Sequence, residues 1–597
     1  MNAIPCLLAA SAFALLASSA LVAAPPPEGV AVLPADTVGA FTLMGEAGAA
    51  TMETIPVEGQ EFTKALRVKI AKPAGSAWAI QLHAKSTAAV EKGDALLATF
   101  WLRSAEAASG EALTAFVFEL GKEPYSKSIE CQVTADRKWH KLSLPFASVG
   151  SYAPGEASIN FQLGFAAQTV EIAGVQLVNY GKKVKVADLP RSSFGYAGSN
   201  ADAPWRAAAA ERIEKLRKGD LAVVVKDAAG KPIEGAAVKV RQARHAFGFG
   251  SAIASDRLLA ESPDGEKYRD TVKRLFNKIV FENDLKWGDW AWENPANRPK
   301  VPKALDWLDR QHIEARGHCL VWPAWGNMPA DLKKLAGDRP ALEKRIAAHV
   351  REEVGALKGR LVEWDVINEP YSNHDVMDIC GNDVMADWFR IAHEADPKPV
   401  LFINDYSILS SGGRDTAHQA HYEKTIRFLL EKGAPLGGIG LQSHFDWALT
   451  PPPKLLEILD RFGSLGPEIE LEATEFDIDI TDEALQAAYL RDFMTTLFSH
   501  PKVKGIIMWG FWEGHHWKPS AALFRKDWSV KPNGQAWIDL VTKTWWTSAD
   551  GKTAASGDFK TRGFLGEYDV TVEANGKTKT VRAQLPKDGA TLAVTMD

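Results

Sequence analysis

The sequence predicts an α/β protein built on a (β/α)8 TIM barrel, with an N-terminal β-sandwich of jelly-roll type and a small C-terminal β appendage. Three observations carry that expectation. Between residues 247 and 546, eight short apolar, β-rich runs alternate with amphipathic segments whose apolar residues recur every three or four positions. The runs begin 31 to 47 residues apart, the spacing of strand and helix pairs in a closed barrel. On either side the pattern changes to half-alternating runs broken by turn residues, as in antiparallel sheets.

Taken in order, residues 1–24 form one apolar run with small residues near its end, followed by Pro25, Pro26 and Pro27. This reads as a signal peptide and predicts a secreted or periplasmic product. No other stretch approaches the ~18 apolar residues of a bilayer span, so the mature protein is expected not to be membrane-embedded. Residues 30–182 carry the sandwich pattern in KALRVKI (64–70), WAIQLHA (78–84), ALLATFWLR (95–103), KWHKLSLPF (138–146) and EIAGVQLVNY (171–180). Residues 203–246 read as a connector, a helix over 203–218 and then a β-hairpin about DAAGKPIEG (227–235). The barrel strands are expected at 247–253, 278–287, 314–322, 361–369, 400–406, 437–445, 468–478 and 503–511. Residues 547–597 then read as a small β domain around an Asn575-Gly576 hairpin turn.

Composition narrows the function. With 46% apolar and 24% charged residues the chain is globular, and a net charge of −6 offers no clustered cations for nucleic acid. Cys131, Cys319 and Cys380 are too scattered to read as a disulfide framework or a zinc site, and no metal is expected.

In a (β/α)8 barrel, chemistry gathers at the C-terminal ends of the strands. Those ends carry Glu282, Asn283 and Lys286 on the second strand, His318 and Trp322 on the third, and Asn368 and Glu369 on the fourth. The fifth to eighth supply Asn404 and Asp405, Gln442 and His444, Glu475 and Asp477, and Trp509. Glu369 and Glu475 each close a mostly apolar strand, where an unpartnered carboxylate would cost several kcal/mol. Strands four and seven face each other across the mouth. Two carboxyl groups ~5 to 5.5 Å apart suit a retaining glycosidase, whereas ~6.5 to 9.5 Å suits an inverting one. Twenty tryptophans, sixteen of them between Trp287 and Trp546, supply flat faces for pyranose rings as well as core.

WDVINEP (364–370) resembles the acid/base motif of glycoside hydrolase family 10, the endo-β-1,4-xylanases, and ATEFDI (473–478) resembles that family's nucleophile strand. FENDLKW (281–287), RGHCLVW (316–322), FINDY (402–406), IGLQSHF (439–445) and the region from Trp509 to Trp517 match in order, over about 300 residues. The resemblance implies Glu369 as acid/base, Glu475 as nucleophile, and Asn368 on the sugar 2-hydroxyl. It further implies His444 on the nucleophile, oriented by Asp477, and Glu282, Asn283 and Lys286 on the non-reducing side. His318, Trp322, Asn404, Gln442, Trp509 and Trp517 would complete the cleft. Pro323 stands where the family usually has a histidine, and EGHHWKPSAALFRKDW (513–528) departs from the usual loop, so substrate preference is the open point.

The expected function is a retaining endo-β-1,4-xylanase, a monomer acting on xylan or a related β-glycan without a cofactor, since two carboxylates suffice. One alternative keeps the mechanism on another β-glycan. Another is a non-catalytic polysaccharide-binding protein, against which the pair of repelling carboxyls argues. The N-terminal sandwich resembles jelly-roll carbohydrate-binding modules, with Trp78, Trp101, Tyr125 and Trp139 as stacking candidates.

Overall fold

The computed structural model describes residues 28–596 apart from 75, 108–110, 193–195, 197, 289–299 and 447, so the expected leader at 1–24 lies outside the described residues. The chain divides into two units, residues 1–192 and 193–597.

The first unit is a two-sheet sandwich. One sheet runs Ala50–Pro56, Lys64–Ile70, Gln168–Asn179, Ala95–Ala107, His140–Ala147, with Val30–Ala31 added beside Gln168–Asn179; the other runs Thr42–Met44, Gln81–Lys85, Ala157–Gln162, Ala112–Leu120, Lys127–Ala135. Alternation sends Phe100, Phe116 and Phe161 into the space between them, where Phe100 and Phe161 meet edge to face at 4.9 Å. None of the four stacking candidates joins that core. Trp78 and Tyr125 are exposed, while Trp101 and Trp139 are half-buried around Phe62, with Trp101 donating to Glu61 Oε1 at 3.1 Å.

In the second unit eight parallel strands close into a barrel. They are β1 (Gly248–Ile253), β2 (Lys278–Phe281), β3 (Glu314–Gly317), β4 (Glu363–Asn368), β5 (Val400–Asp405), β6 (Gly438–Leu441), β7 (Glu470–Ile478) and β8 (Val503–Met508). Each neighbours the next, and Gly248 opposite Gly505 closes the ring. Because helices cover the outer face, the strands are buried on both sides, which is why they read as mostly apolar runs. The intervening helices start where the sequence supplies caps: Ser262, Asp338, Asp415 and Asp482 each accept a backbone N–H two or three residues on.

The segments before and after the barrel share one sandwich. Lys218–Asp227 pairs antiparallel with Asp558–Phe564 and parallel with Ala590–Met596, while Ala237–His245 lies between Ser548–Lys552 and Gly566–Ala574. The two strands expected as a hairpin therefore lie in different sheets, because the intervening turn carries the chain across the sandwich. Asn575 and Gly576, with φ of 51° and 75°, do form the expected tight hairpin turn. Leu221, Val223, Val225, Val238 and Val240 pack on Tyr568, Val570, Val572 and Val594. Ending the chain at Trp546 would expose five buried aliphatic side chains at roughly 10 kcal/mol in total, of the order of a domain's whole stability. The truncated chain is expected to be insoluble or to lose its cooperative thermal transition in calorimetry.

The helix Pro204–Arg217 ties this sandwich to the barrel. Arg217 donates to the carbonyls of Phe498, His500 and Val503 at 2.7 to 2.8 Å, and Arg206 forks Asp492. No helix among the described residues is long and apolar enough to cross a membrane.

Candidate active site

The site is built at the C-terminal rim of the barrel. Glu369 follows β4 with φ at 53°, a left-handed conformation that a non-glycine residue adopts at a cost and that is common at functional positions. Glu475 lies in β7, where the register against β8 shifts between Ala473 and Phe476. A strand alternates faces, so Glu472 and Thr474 share one side; the irregularity re-aims Glu475 toward the interior as well. The short strand His444–Phe445 pairs with β7 and puts His444 opposite Asp477.

A chain of amides joins the two carboxyls. Gln442 Nε2 donates to Glu369 Oε1 at 2.9 Å and reaches Asn368 Oδ1 at 3.4 Å. Asn404 Nδ2 donates to that same Asn368 Oδ1 at 3.0 Å and to Glu475 Oε1 at 2.7 Å. Thr474 fixes the Asn404 amide by donating its hydroxyl to Oδ1 at 2.6 Å. Gly440 makes room for it, since a Cβ there would lie 2.3 Å from Asn404 Oδ1. The second oxygen of Glu369 accepts from Trp322 Nε1 and Asn373 Nδ2, both at 3.2 Å.

Two imidazoles face Glu475. His444 Nε2 lies 3.3 Å from Oε2, with its Nδ1 3.0 Å from Asp477 Oδ1, and His318 Nδ1 is 3.9 Å from Oε1. Trp517 Nε1 donates to Asp477 Oδ2 at 2.7 Å and packs its ring on His444, 4.8 Å between centroids.

These surroundings split the ionisation of the pair. Burial pushes Glu475 upward most, yet His318, His444 and Lys286 together outweigh it and bring the carboxyl down to about 2. For Glu369, burial and the charge of Glu475 outweigh the Gln442 hydrogen bond, and its pKa rises. One carboxylate is anionic beside a more basic acid, the division that acid and nucleophile require.

Burial depresses His444, but Asp477 and Glu475 more than reverse that and raise it to about 10. A raised folded pKa means that His444 stabilises the fold fully below its ordinary 6.5, and that this contribution is lost as pH rises toward 10. The melting temperature of His444→Asn is expected to fall furthest below wild type at or below pH 6.5 and to converge on it near pH 10, read by calorimetry across that range.

The remaining expected residues gather around the pair. Lys286 Nζ bonds Asn283 Oδ1 at 2.9 Å and sits 5.4 and 5.9 Å from the rings of Trp322 and Trp509. Glu282 pairs with His515 at 3.3 Å, and Trp517 is half exposed. Asn404, expected to line the cleft, is instead fully buried behind Glu475, its amide taken by Asn368, Glu475 and Thr474; His318 is buried too, with its Nδ1 on Asp365. Trp287, Trp364, Trp388, Trp537 and Trp545 are core residues, and Trp290, Trp292 and Trp447 lie outside the described residues. Asn373 and His515 went unread in the sequence: both lie in loops, where no periodicity marks an inward side chain.

The model of the family described as Glycosyl hydrolase family 10 matches residues 239–540. The chain belongs to glycosyl hydrolase family 10. It is 28% identical to endo-1,4-beta-xylanase 1 of Arabidopsis thaliana over 77% of this chain and 45% of that protein. It is 33% identical to anti-sigma-I factor RsgI6 of Acetivibrio thermocellus over 65% of this chain and 49% of that protein. It is also similar to the crystal structure of native xylanase 10B from Thermotoga maritima, at 27% identity and a TM-score of 0.45, covering 50% of this chain and 96% of that one. The chain spans about half the length of these two curated relatives. The family match covers the barrel together with most of the strand Ala237–His245 that precedes it, and leaves the N-terminal sandwich unassigned.

Proposed function

We propose that this chain is a retaining endo-β-1,4-xylanase. The observation that carries the reading is the split pair itself: Glu475 held ionised by two histidines and a lysine, and Glu369 kept protonated more readily by burial beside it. Glu475 attacks the anomeric carbon while Glu369 gives its proton to the departing oxygen, forming a glycosyl-enzyme ester. Glu369, now anionic, takes a proton from the water that hydrolyses the ester and regains its acid form. Asn368 Oδ1 is already engaged by Asn404 and Gln442, so its N–H groups are the part that meets the sugar 2-hydroxyl. The half-exposed Trp517 and half-buried Trp322 offer ring faces to pyranoses on either side of Glu475 and Glu369.

Family membership and the printed name of the Arabidopsis relative favour xylan; Pro323 after Trp322 and the 513–528 segment favour a test on other β-glycans as well. Reducing-sugar release from unsubstituted β-1,4-xylan and a panel of β-glycans, with products sized, decides this. Release of short xylo-oligosaccharides supports the reading, release only from another β-glycan moves the substrate, and inactivity on all of them removes the hydrolase reading. We also propose that the product is exported through residues 1–24 and that the N-terminal sandwich holds glycan, supported by the exposed rings of Trp78 and Tyr125.

A further inference from the structure

Beneath the catalytic pair, the barrel interior contains five ionisable side chains that the reaction does not use. Lys278 opens β2, Arg316 lies in β3, Glu363 and Asp365 in β4, and Glu472 in β7, all buried. Lys278 Nζ contacts Glu363 Oε1 and lies 3.1 Å from Glu472 Oε1. Arg316 is the hub. Its Nε faces Glu363 Oε2 at 3.0 Å and Glu472 Oε2 at 3.6 Å, while its two terminal nitrogens grip Asp365 at 2.7 and 3.1 Å. Asp365 Oδ2 in turn meets His318 Nδ1 at 2.9 Å, and that nitrogen is 3.9 Å from Glu475 Oε1. Gly505 is needed for this packing, since a Cβ there would lie 2.0 Å from Glu472 Oε1.

Charges buried this deeply seldom add net stability over apolar residues of the same size, so stability alone does not account for them. We propose that Lys278, Glu363, Glu472 and Arg316 are positioning residues for the nucleophile, holding Asp365 and through it His318 against Glu475. The charge count supports a balanced device. Burial and the neighbouring Glu363 keep a proton on Glu472 above the usual carboxyl range, leaving two cations against the anions of Glu363 and Asp365. The other groups facing this path are Glu314 near Lys278, and Lys286, His444 and Glu369 around Glu475; the buried Cys319 thiol stays neutral.

This inference rests on the hydrolase reading, so the test has two readouts. Lys278→Met leaves one uncompensated negative charge, draws Arg316 toward Glu363, and weakens its grip on Asp365. The net negative charge left near Glu475 disfavours its ionised form. On an activated aryl β-xylobioside, the acidic limb of kcat/KM is expected to move up by about one pH unit, with kcat/KM about tenfold down on that limb and KM changed less than twofold. The charge-balanced double variant Lys278→Met/Glu363→Gln is expected to restore the wild-type profile. The imidazole of His318, titrated by NMR in the full chain, is expected to shift in the single variant and return in the double. A pH profile and a His318 titration unmoved in Lys278→Met, with only a lower melting temperature, would overturn the proposal, as would a double variant no better than the single. A wild type inactive on every glycoside, with His318 still responding to Lys278→Met, removes the hydrolase reading and leaves the positioning chain standing.

Discussion

Glu475→Ala is expected to lose activity on xylan and on activated aryl glycosides alike, by about 10⁵-fold or more, because nothing else can form the ester; removing a covalent nucleophile costs enzymes up to about 10⁶-fold. The carboxylate occupies a position no neighbour can fill. Asn404, on one of its oxygens, is an amide, and the two imidazoles near it are held by Asp477 and Asp365. Glu475→Gln tests the same point without a cavity, since the amide keeps the side chain's length and its contact with His444 while losing the charge. Steady-state kinetics with both variants should agree to within an order of magnitude. A variant that retains more than about a hundredth of wild-type kcat/KM would argue that Glu475 is not the nucleophile, because a general acid–base contribution alone accounts for losses of about 10² to 10⁴.

For Glu369→Ala the size of the loss should depend on the leaving group. On xylan, whose departing sugar hydroxyl needs a proton, kcat/KM should fall about 10²- to 10⁴-fold. On a dinitrophenyl glycoside, whose leaving group departs unassisted, formation of the ester should be nearly unimpaired, and its hydrolysis, which needs Glu369 as base, becomes limiting. That variant should therefore show a burst of released phenol followed by a slow steady state. The alkaline limb of its kcat/KM profile should also vanish, because that limb is the deprotonation of Glu369, whose pKa is raised by burial and by the charge of Glu475. Equal losses on both substrates would remove the acid role from Glu369.

The barrel, and the two carboxylates that gather at its C-terminal rim, were legible in the sequence for physical reasons. Strands covered on both faces are mostly apolar, so each barrel strand stands out against its amphipathic helix, and a carboxylate closing such a run is conspicuous. The same locality explains what was not legible. Lys278 and Glu472 sit 194 positions apart, and each looks like a solitary charge in a strand until the barrel closes and brings them within 3.1 Å. Alternation marks Lys218–Asp227 and Ala237–His245 as strands, yet their partners lie on the far side of the barrel, beyond residue 546. A short turn between two strands reads as a hairpin, and only the pairing shows that it crosses from one sheet to the other. His318 and Asn404 were found as polar residues at strand ends, but whether such a residue faces sugar or supports a carboxylate depends on the groups opposite it.

The measurement that tests the central claim most directly is to incubate the protein with an activated 2-deoxy-2-fluoro-β-xylobioside and map the product by mass spectrometry. The account predicts a mass increase of one glycosyl unit, confined to the peptide that contains Glu475 and absent from Glu475→Gln. A protein that hydrolyses xylan yet carries the label on a different residue would contradict the assignment of the nucleophile. One that hydrolyses xylan with inversion at the anomeric carbon, and never takes up the label, would contradict the double displacement itself.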